Sequence, residues 1–189
     1  MPLPPRDWNS LLDDRNRILW DEIKVFDVND SLSWGMAPGE QYTYNRKRRN
    51  PCCPREPAGD FDIHLLKRKH NIVNVISLLT SEGPERYYQN CNFSSILWLP
   101  VHDRRPPSLR QLSLAIASIE ASRVNNEKCY VYCRYGIGRS PTMVIGYLMK
   151  SLGYTYSSAY SLITDIRPII GGSGVHTITP EQIDFLKSL

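Results

Sequence analysis

The sequence predicts an α/β domain built on a central, mostly parallel sheet of about four to five strands flanked by helices. Two observations predict it. Short apolar runs alternate along the chain with longer stretches in which apolar residues recur at helical spacing. Helix-opening residues (Ser108, Pro141, Thr179) and a helix-closing glycine (Gly153) sit at the joints between them.

Each element can be justified in turn. Residues 1–30 carry seven acids against four bases, and Leu11, Leu12, Ile18 and Leu19 mark a short helix around Leu11–Trp20. This part is expected to be an extension packing on a single domain of residues 31–189. A short strand near Leu32–Met36 ends at Pro38-Gly39. Residues 45–59 read as a loop, with three prolines, a glycine and the basic run Arg46-Lys47-Arg48-Arg49. A helix over about 60–70 leads into the apolar strand Ile72–Leu78, and a further strand, Ile96–Leu99, stops at Pro100. Ser108 with Gln111 forms a capping box, after which Leu112, Ala115, Ile116, Ile119 and Val124 repeat at helical spacing. The strand Cys129–Cys133 runs into a glycine-bearing turn and a helix that has Pro141 near its first position and stops at Gly153. Two helices follow, about Tyr156–Ile166 and Pro180–Leu189, the second capped by Thr179 with Gln182 three residues on.

Composition excludes several classes. With 189 residues, 41% of them apolar, the chain suits one globular domain and buries a core. Lys and Arg number 23 against 19 Asp and Glu, a net charge of +4 that is too small to argue for nucleic acid. No run approaches the ~18 apolar residues of a membrane span, and Met1 to Arg6 lacks an apolar signal core. Five cysteines without even spacing fit reduced thiols better than a disulfide framework. The expected location is the cytoplasm, with the nucleus as the alternative.

The informative stretch is Val131-Tyr132-Cys133-Arg134-Tyr135-Gly136-Ile137-Gly138-Arg139-Ser140-Pro141. A cysteine ends a strand, five residues intervene, an arginine follows and a helix starts at once. This arrangement suits a phosphate: backbone N–H groups of the turn and of the helix N-terminus converge where the dipole favours negative charge. Gly136 and Gly138 let the backbone curl, and the planar fork of Arg139 can meet two phosphate oxygens. Arg134, Tyr135, Gly136, Ile137 and Gly138 complete the predicted phosphate-binding set. The same field favours the thiolate form of Cys133, which faces a bound monoester as a nucleophile. A departing alkoxide or phenoxide also needs a proton. Asp103, in the loop Leu99-Pro100-Val101-His102-Asp103-Arg104-Arg105-Pro106-Pro107-Ser108, is the candidate acid. Loops after adjacent parallel strands share the sheet edge where ligands bind.

Together these segments resemble the protein tyrosine phosphatase superfamily. Cys133 to Ser140 resembles its cysteine–five residues–arginine–Ser/Thr signature loop, and Asp103 to Ser108 its general-acid loop. The compact length and the order of elements are similar to the atypical dual-specificity phosphatases, from about Leu32 to Leu189, with 45–59 as an insertion. The resemblance implies that Cys133 forms a thiophosphate intermediate and that Arg139 holds the phosphoryl oxygens. It further implies that Ser140 hydrogen-bonds the sulfur and that Asp103 first protonates the leaving group, then activates water. Gln182 is a candidate for positioning that water. No metal or cofactor is implied, and His64, His70, His102 and His176 form no ligand pattern in the sequence. Tyr132 stands where the family usually has a histidine that buttresses the loop, and Tyr135 where alanine is common.

Other residues read as structural. Cys129 shares a strand face with Val131 and reads as packing. His102 reads as a neighbour of the acid, and Cys52-Cys53 as exposed thiols without a second pair to complete a metal site. Gly136-x-Gly138 lacks the third small residue of a dinucleotide loop, since position 141 is proline. The Arg46–Arg49 run reads as a solvated loop, with docking of an acidic partner or nuclear import as alternatives. The leading expectation is a phosphatase acting on phosphorylated protein, at tyrosine and at serine or threonine. One alternative is a phosphatase for phosphoinositides, inositol phosphates or RNA 5′-phosphates, with Arg134 and Arg104-Arg105 neutralising extra phosphates. The other is a weakly active phosphate-binding adaptor.

Overall fold

The computed structural model describes residues 25–37, 66–80, 93–171 and 177–189. The helix expected around Leu11–Trp20, the loop at 45–59 with Cys52-Cys53 and Arg46–Arg49, most of the helix expected over 60–70, and His176 lie outside these residues.

A five-stranded sheet forms the centre, in the order β1-β2-β5-β3-β4. Its strands are β1 (Val25–Asn29), β2 (Leu32–Met36), β3 (Ile72–Ser77), β4 (Ser95–Trp98) and β5 (Lys128–Cys133). β1 and β2 are antiparallel, and every other pairing is parallel, so the expected mostly parallel α/β sheet is borne out. Strand β1 is an addition: residues 25–29 fell within the stretch read as an extension, yet they form an edge strand of the sheet. The Asn29 side chain accepts from the Ser31 N–H at 3.0 Å and closes the turn into β2.

Among the described residues, helix α1 (Leu109–Val124) lies between β4 and β5, and α2 (Arg139–Leu152), α3 (Tyr156–Ile166) and α4 (Pro180–Lys187) follow β5, with a 3₁₀ turn at Pro168–Gly171. The capping boxes predicted at Ser108–Gln111 and Thr179–Gln182 are both present, and Gly153 closes α2 in the left-handed conformation. Helix α2 begins two residues before Pro141, at Arg139, because the turn preceding it already delivers helical backbone.

Strand β5 divides the interior in two. Cys129, Val131 and Cys133 face the main core, which all four helices share through Leu112, Met143, Ile163, Leu186 and their neighbours. Tyr130 and Tyr132 point to the opposite face, into a second cluster with Leu66, Ile72 and Val75. The two faces follow from the alternation of side chains along a strand. Helix α2 lies at the middle, buried from Arg139 through Leu148. Each fully buried aliphatic side chain there contributes roughly 1.5–3 kcal/mol relative to exposure. That burial fixes the helix N-terminus over the end of β5.

Candidate active site

The chain leaves β5 at Cys133, turns through Gly136 and enters α2 at Arg139. Gly136 adopts a φ of 65°, and a Cβ there would lie 2.6 Å from the carbonyl of Gly35 on β2, so both conformation and space demand glycine. Helices α1, α3 and α4 each have a Ser or Thr side chain capping the first turn, whereas Gly138 at the start of α2 supplies none. The leading N–H groups of α2 are therefore left without a capping side chain, and they face the turn that contains Cys133.

Cys133 is buried, and its Sγ lies 3.3 Å from Ser140 Oγ. Arg139 is buried as well. Its Nη1 donates to the carbonyls of Val101 at 3.0 Å and Leu78 at 3.3 Å, and its Nη2 lies 3.1 Å from Asp103 Oδ1. Asp103 is 75% exposed, at the rim above the buried guanidinium. The strand carrying the acid loop is not adjacent to β5, as the sequence reading assumed: β3 lies between them. The loop crosses the end of β3 instead, where the Val101 N–H donates to Leu78 O at 3.2 Å. Cys133, Arg139 and Asp103 thus meet at one pocket of about 140 Å³. Tyr135, Ile137 and Gly138 line one side, and Arg104, Thr177, Thr179 and Gln182 another.

Other expected residues are placed as follows. Arg134 is exposed, with its guanidinium 5.6 Å from the centre of the Tyr135 ring. Gln182 borders the pocket, but its amide is engaged: Oε1 accepts from the Thr179 N–H at 2.9 Å and Nε2 donates to Arg105 O at 3.0 Å. It holds the acid loop in place, because Thr179 Oγ1 also donates to Arg104 O at 3.0 Å. Arg104 carries a positive φ of 64°, which this pair of anchors sustains. Tyr132 stacks on Tyr130 on the far face of the sheet, with ring centroids 5.8 Å apart. Cys129 lies in the core, where burial pushes its thiol up to about 12 against a hydrogen bond from Ser122.

Sequence reasoning missed two residues behind the turn. Arg167, at the end of α3, donates from Nη1 to Gly136 O at 2.7 Å and to Tyr135 O at 3.1 Å. Trp34 Nε1 donates to the same Gly136 carbonyl at 3.3 Å. Burial lowers the pKa of Arg167 from its ordinary value, while the charges of Cys133 and Tyr130 work against that change. No local pattern announces these contacts, which join residues 31 to 102 positions apart.

The family model "Dual specificity phosphatase, catalytic domain" matches residues 62–177, more than half of the chain and a stretch that holds Asp103, Cys133 and Arg139. The chain belongs to the dual specificity phosphatase family. Mouse "Dual specificity protein phosphatase 8" is 32% identical over 149 residues, which cover 72% of this chain and 22% of that protein. "Phosphatidylglycerophosphate phosphatase PTPMT1" of Arabidopsis thaliana is 37% identical over 62 residues, covering 33% of this chain and 18% of that one. The chain therefore spans about a fifth of the length of these curated relatives. The solved structure of PTPMT1 superimposes with a TM-score of 0.64 at 19% identity, covering 87% of this chain and 92% of the other, and shares the fold. Among the described residues, no helix is long and apolar enough to cross a membrane.

Proposed function

We propose that the chain hydrolyses phosphate monoesters on protein tyrosine, and on serine or threonine, through a cysteinyl-phosphate intermediate. The observation that carries this reading is the convergence of Cys133, Arg139 and Asp103 on one pocket at the mouth of an uncapped helix, with the Ser140 hydroxyl behind the sulfur. The thiolate of Cys133 attacks phosphorus as the ester P–O bond breaks, and Asp103 delivers its proton to the leaving oxygen. A water molecule then attacks the phosphorus, its proton passes to Asp103, and the P–S bond breaks to return the thiolate. The Ser140 hydroxyl, within reach of the sulfur, donates to that leaving thiolate. Arg139 and the N–H groups of the turn hold the equatorial oxygens throughout. Its bond to Asp103 gives way to the incoming phosphate, which frees the carboxyl group for the leaving oxygen.

The test is metal-free phosphate release from phosphotyrosine and phosphoserine peptides by the unmodified protein, Cys133→Ser and Asp103→Ala. Turnover that the first change abolishes and the second reduces supports the proposal. A second reading, a lipid or inositol phosphatase, draws on the similarity to the phosphatidylglycerophosphate phosphatase and on Arg104 at the pocket wall. Release from phosphoinositide vesicles with none from the peptides would select it. Tight peptide binding without release from any substrate would leave the adaptor reading. The Arg46–Arg49 run is proposed as a contact for an acidic protein partner.

A further inference from the structure

Arg167 lies outside the pocket, yet it makes more contacts to the phosphate turn than packing of α3 requires. One nitrogen donates to two successive carbonyls of that turn, Tyr135 at 3.1 Å and Gly136 at 2.7 Å. Its guanidinium lies 4.5 Å from the centre of the Phe26 ring on β1. Phe26 in turn stacks on Trp34 at 5.2 Å, and Trp34 donates to the same Gly136 carbonyl. Two elements distant in sequence, an edge strand and a helix C-terminus, therefore meet behind one peptide.

The direction of these bonds has a chemical meaning. In a planar trans peptide the C=O of one residue and the N–H of the next point opposite ways, and no described peptide bond is cis. Donors that fix the carbonyls of Tyr135 and Gly136 on the outer side aim the N–H groups of Gly136 and Ile137 at the inner side, toward Cys133. A cation at the oxygen end of a peptide dipole also strengthens the positive character of the N–H end. The ring of Tyr132, the residue before Cys133, lies on the far face of the sheet, stacked on Tyr130.

We propose that Arg167 is a positioning residue that, seated on Phe26 and aided by Trp34, holds the Tyr135 and Gly136 peptides with their N–H groups directed at the bound phosphoryl group. The inference rests on reading the pocket as a phosphate site. Its test needs no turnover: alkylation of Cys133 by iodoacetamide is followed by peptide mapping while inorganic phosphate is raised as protectant. In Arg167→Met the phosphate needed for half-protection is expected to rise about tenfold, the equivalent of one charged hydrogen bond. Arg167→Lys keeps the charge and the bulk but cannot present a planar fork, and a smaller rise is expected. Thermal unfolding shows that each variant is folded. If the methionine variant is not, the lysine variant decides. Protection that survives both substitutions unchanged overturns the role of Arg167 and leaves the phosphate site standing. An unmodified protein that phosphate fails to protect removes the site, and the inference with it.

Discussion

Two cysteines four residues apart on β5 share a strand, a face and a chemistry, and the fold gives them opposite lives. Cys129 lies fully buried beside Ser122, where no charge repays ionisation and the thiol is pushed up to about 12. Cys133 sits at the strand's last position, where the uncapped start of α2, the Ser140 hydroxyl and the Arg139 guanidinium surround it. The difference lies in what stands beyond the strand end. Under the proposed mechanism, reactivity belongs to the edge of the sheet, and the residue type alone does not determine it.

The sharpest way to break this contrast is to alter the two cysteines separately. Cys133→Ser should lower phosphate release at least about a thousandfold, while Cys129→Ala should leave it near the unmodified rate. Equal losses in both would show that the strand, and not its end, controls the reaction. Asp103→Asn, at the same open end, keeps the shape of the acid but not its proton, and a loss of roughly a hundredfold or more in turnover is expected.

At the closed end the expected effect is on stability. Cys129→Ala leaves a small void in the main core and should destabilise by about 1 kcal/mol, a fall in Tm of about 2–4 °C by calorimetry. The smallest effect concerns alkaline pH. Because the folded Cys129 thiol is raised to about 12 from an ordinary 9.0, its contribution to stability is fully present below pH 9 and is lost as pH climbs from there toward 12. Tyr147, raised to about 12 from 10.0 by burial and by its bond to Glu120, acts with the same sign above pH 10. Between pH 9 and 10 the decline in Tm should therefore flatten in Cys129→Ala, and a slope identical to that of the unmodified protein would refute the assignment.

The same contrast shows what was legible in the sequence. The chemistry-bearing segment was readable because its logic is local: strand end, glycines, arginine and helix start lie within nine residues, from Cys133 to Pro141. Capping boxes at Ser108 and Thr179 were readable for the same reason. Strand β1 was not, since an edge strand of five residues containing Asp27 and Asn29 gives little periodic signal. The Val25-Phe26-x-Val28 run before an Asn-Asp turn was the available hint. Arg167 could not be found locally, because its carbonyl partners lie 31 and 32 residues earlier. Tyr132 stands where a loop-buttressing histidine is usual in the family, and strand alternation sends its ring to the second core.

Under the proposed function, Arg139 ties recognition to cohesion. One of its nitrogens bridges the ends of two chain segments at Leu78 and Val101, and the other faces Asp103 at the pocket. Removing this side chain therefore takes away a ligand contact and an internal rivet together, and the loss of function in such a variant cannot be apportioned to either. Linkage works in the other direction. An anion seated on Arg139 binds the folded chain alone, so at about one hundred times its Kd it would add about 2.7 kcal/mol to stability. Occupancy of the pocket is thus written into the melting temperature, and a thermal-shift screen of phosphorylated compounds would report on candidate substrates before any of them is turned over.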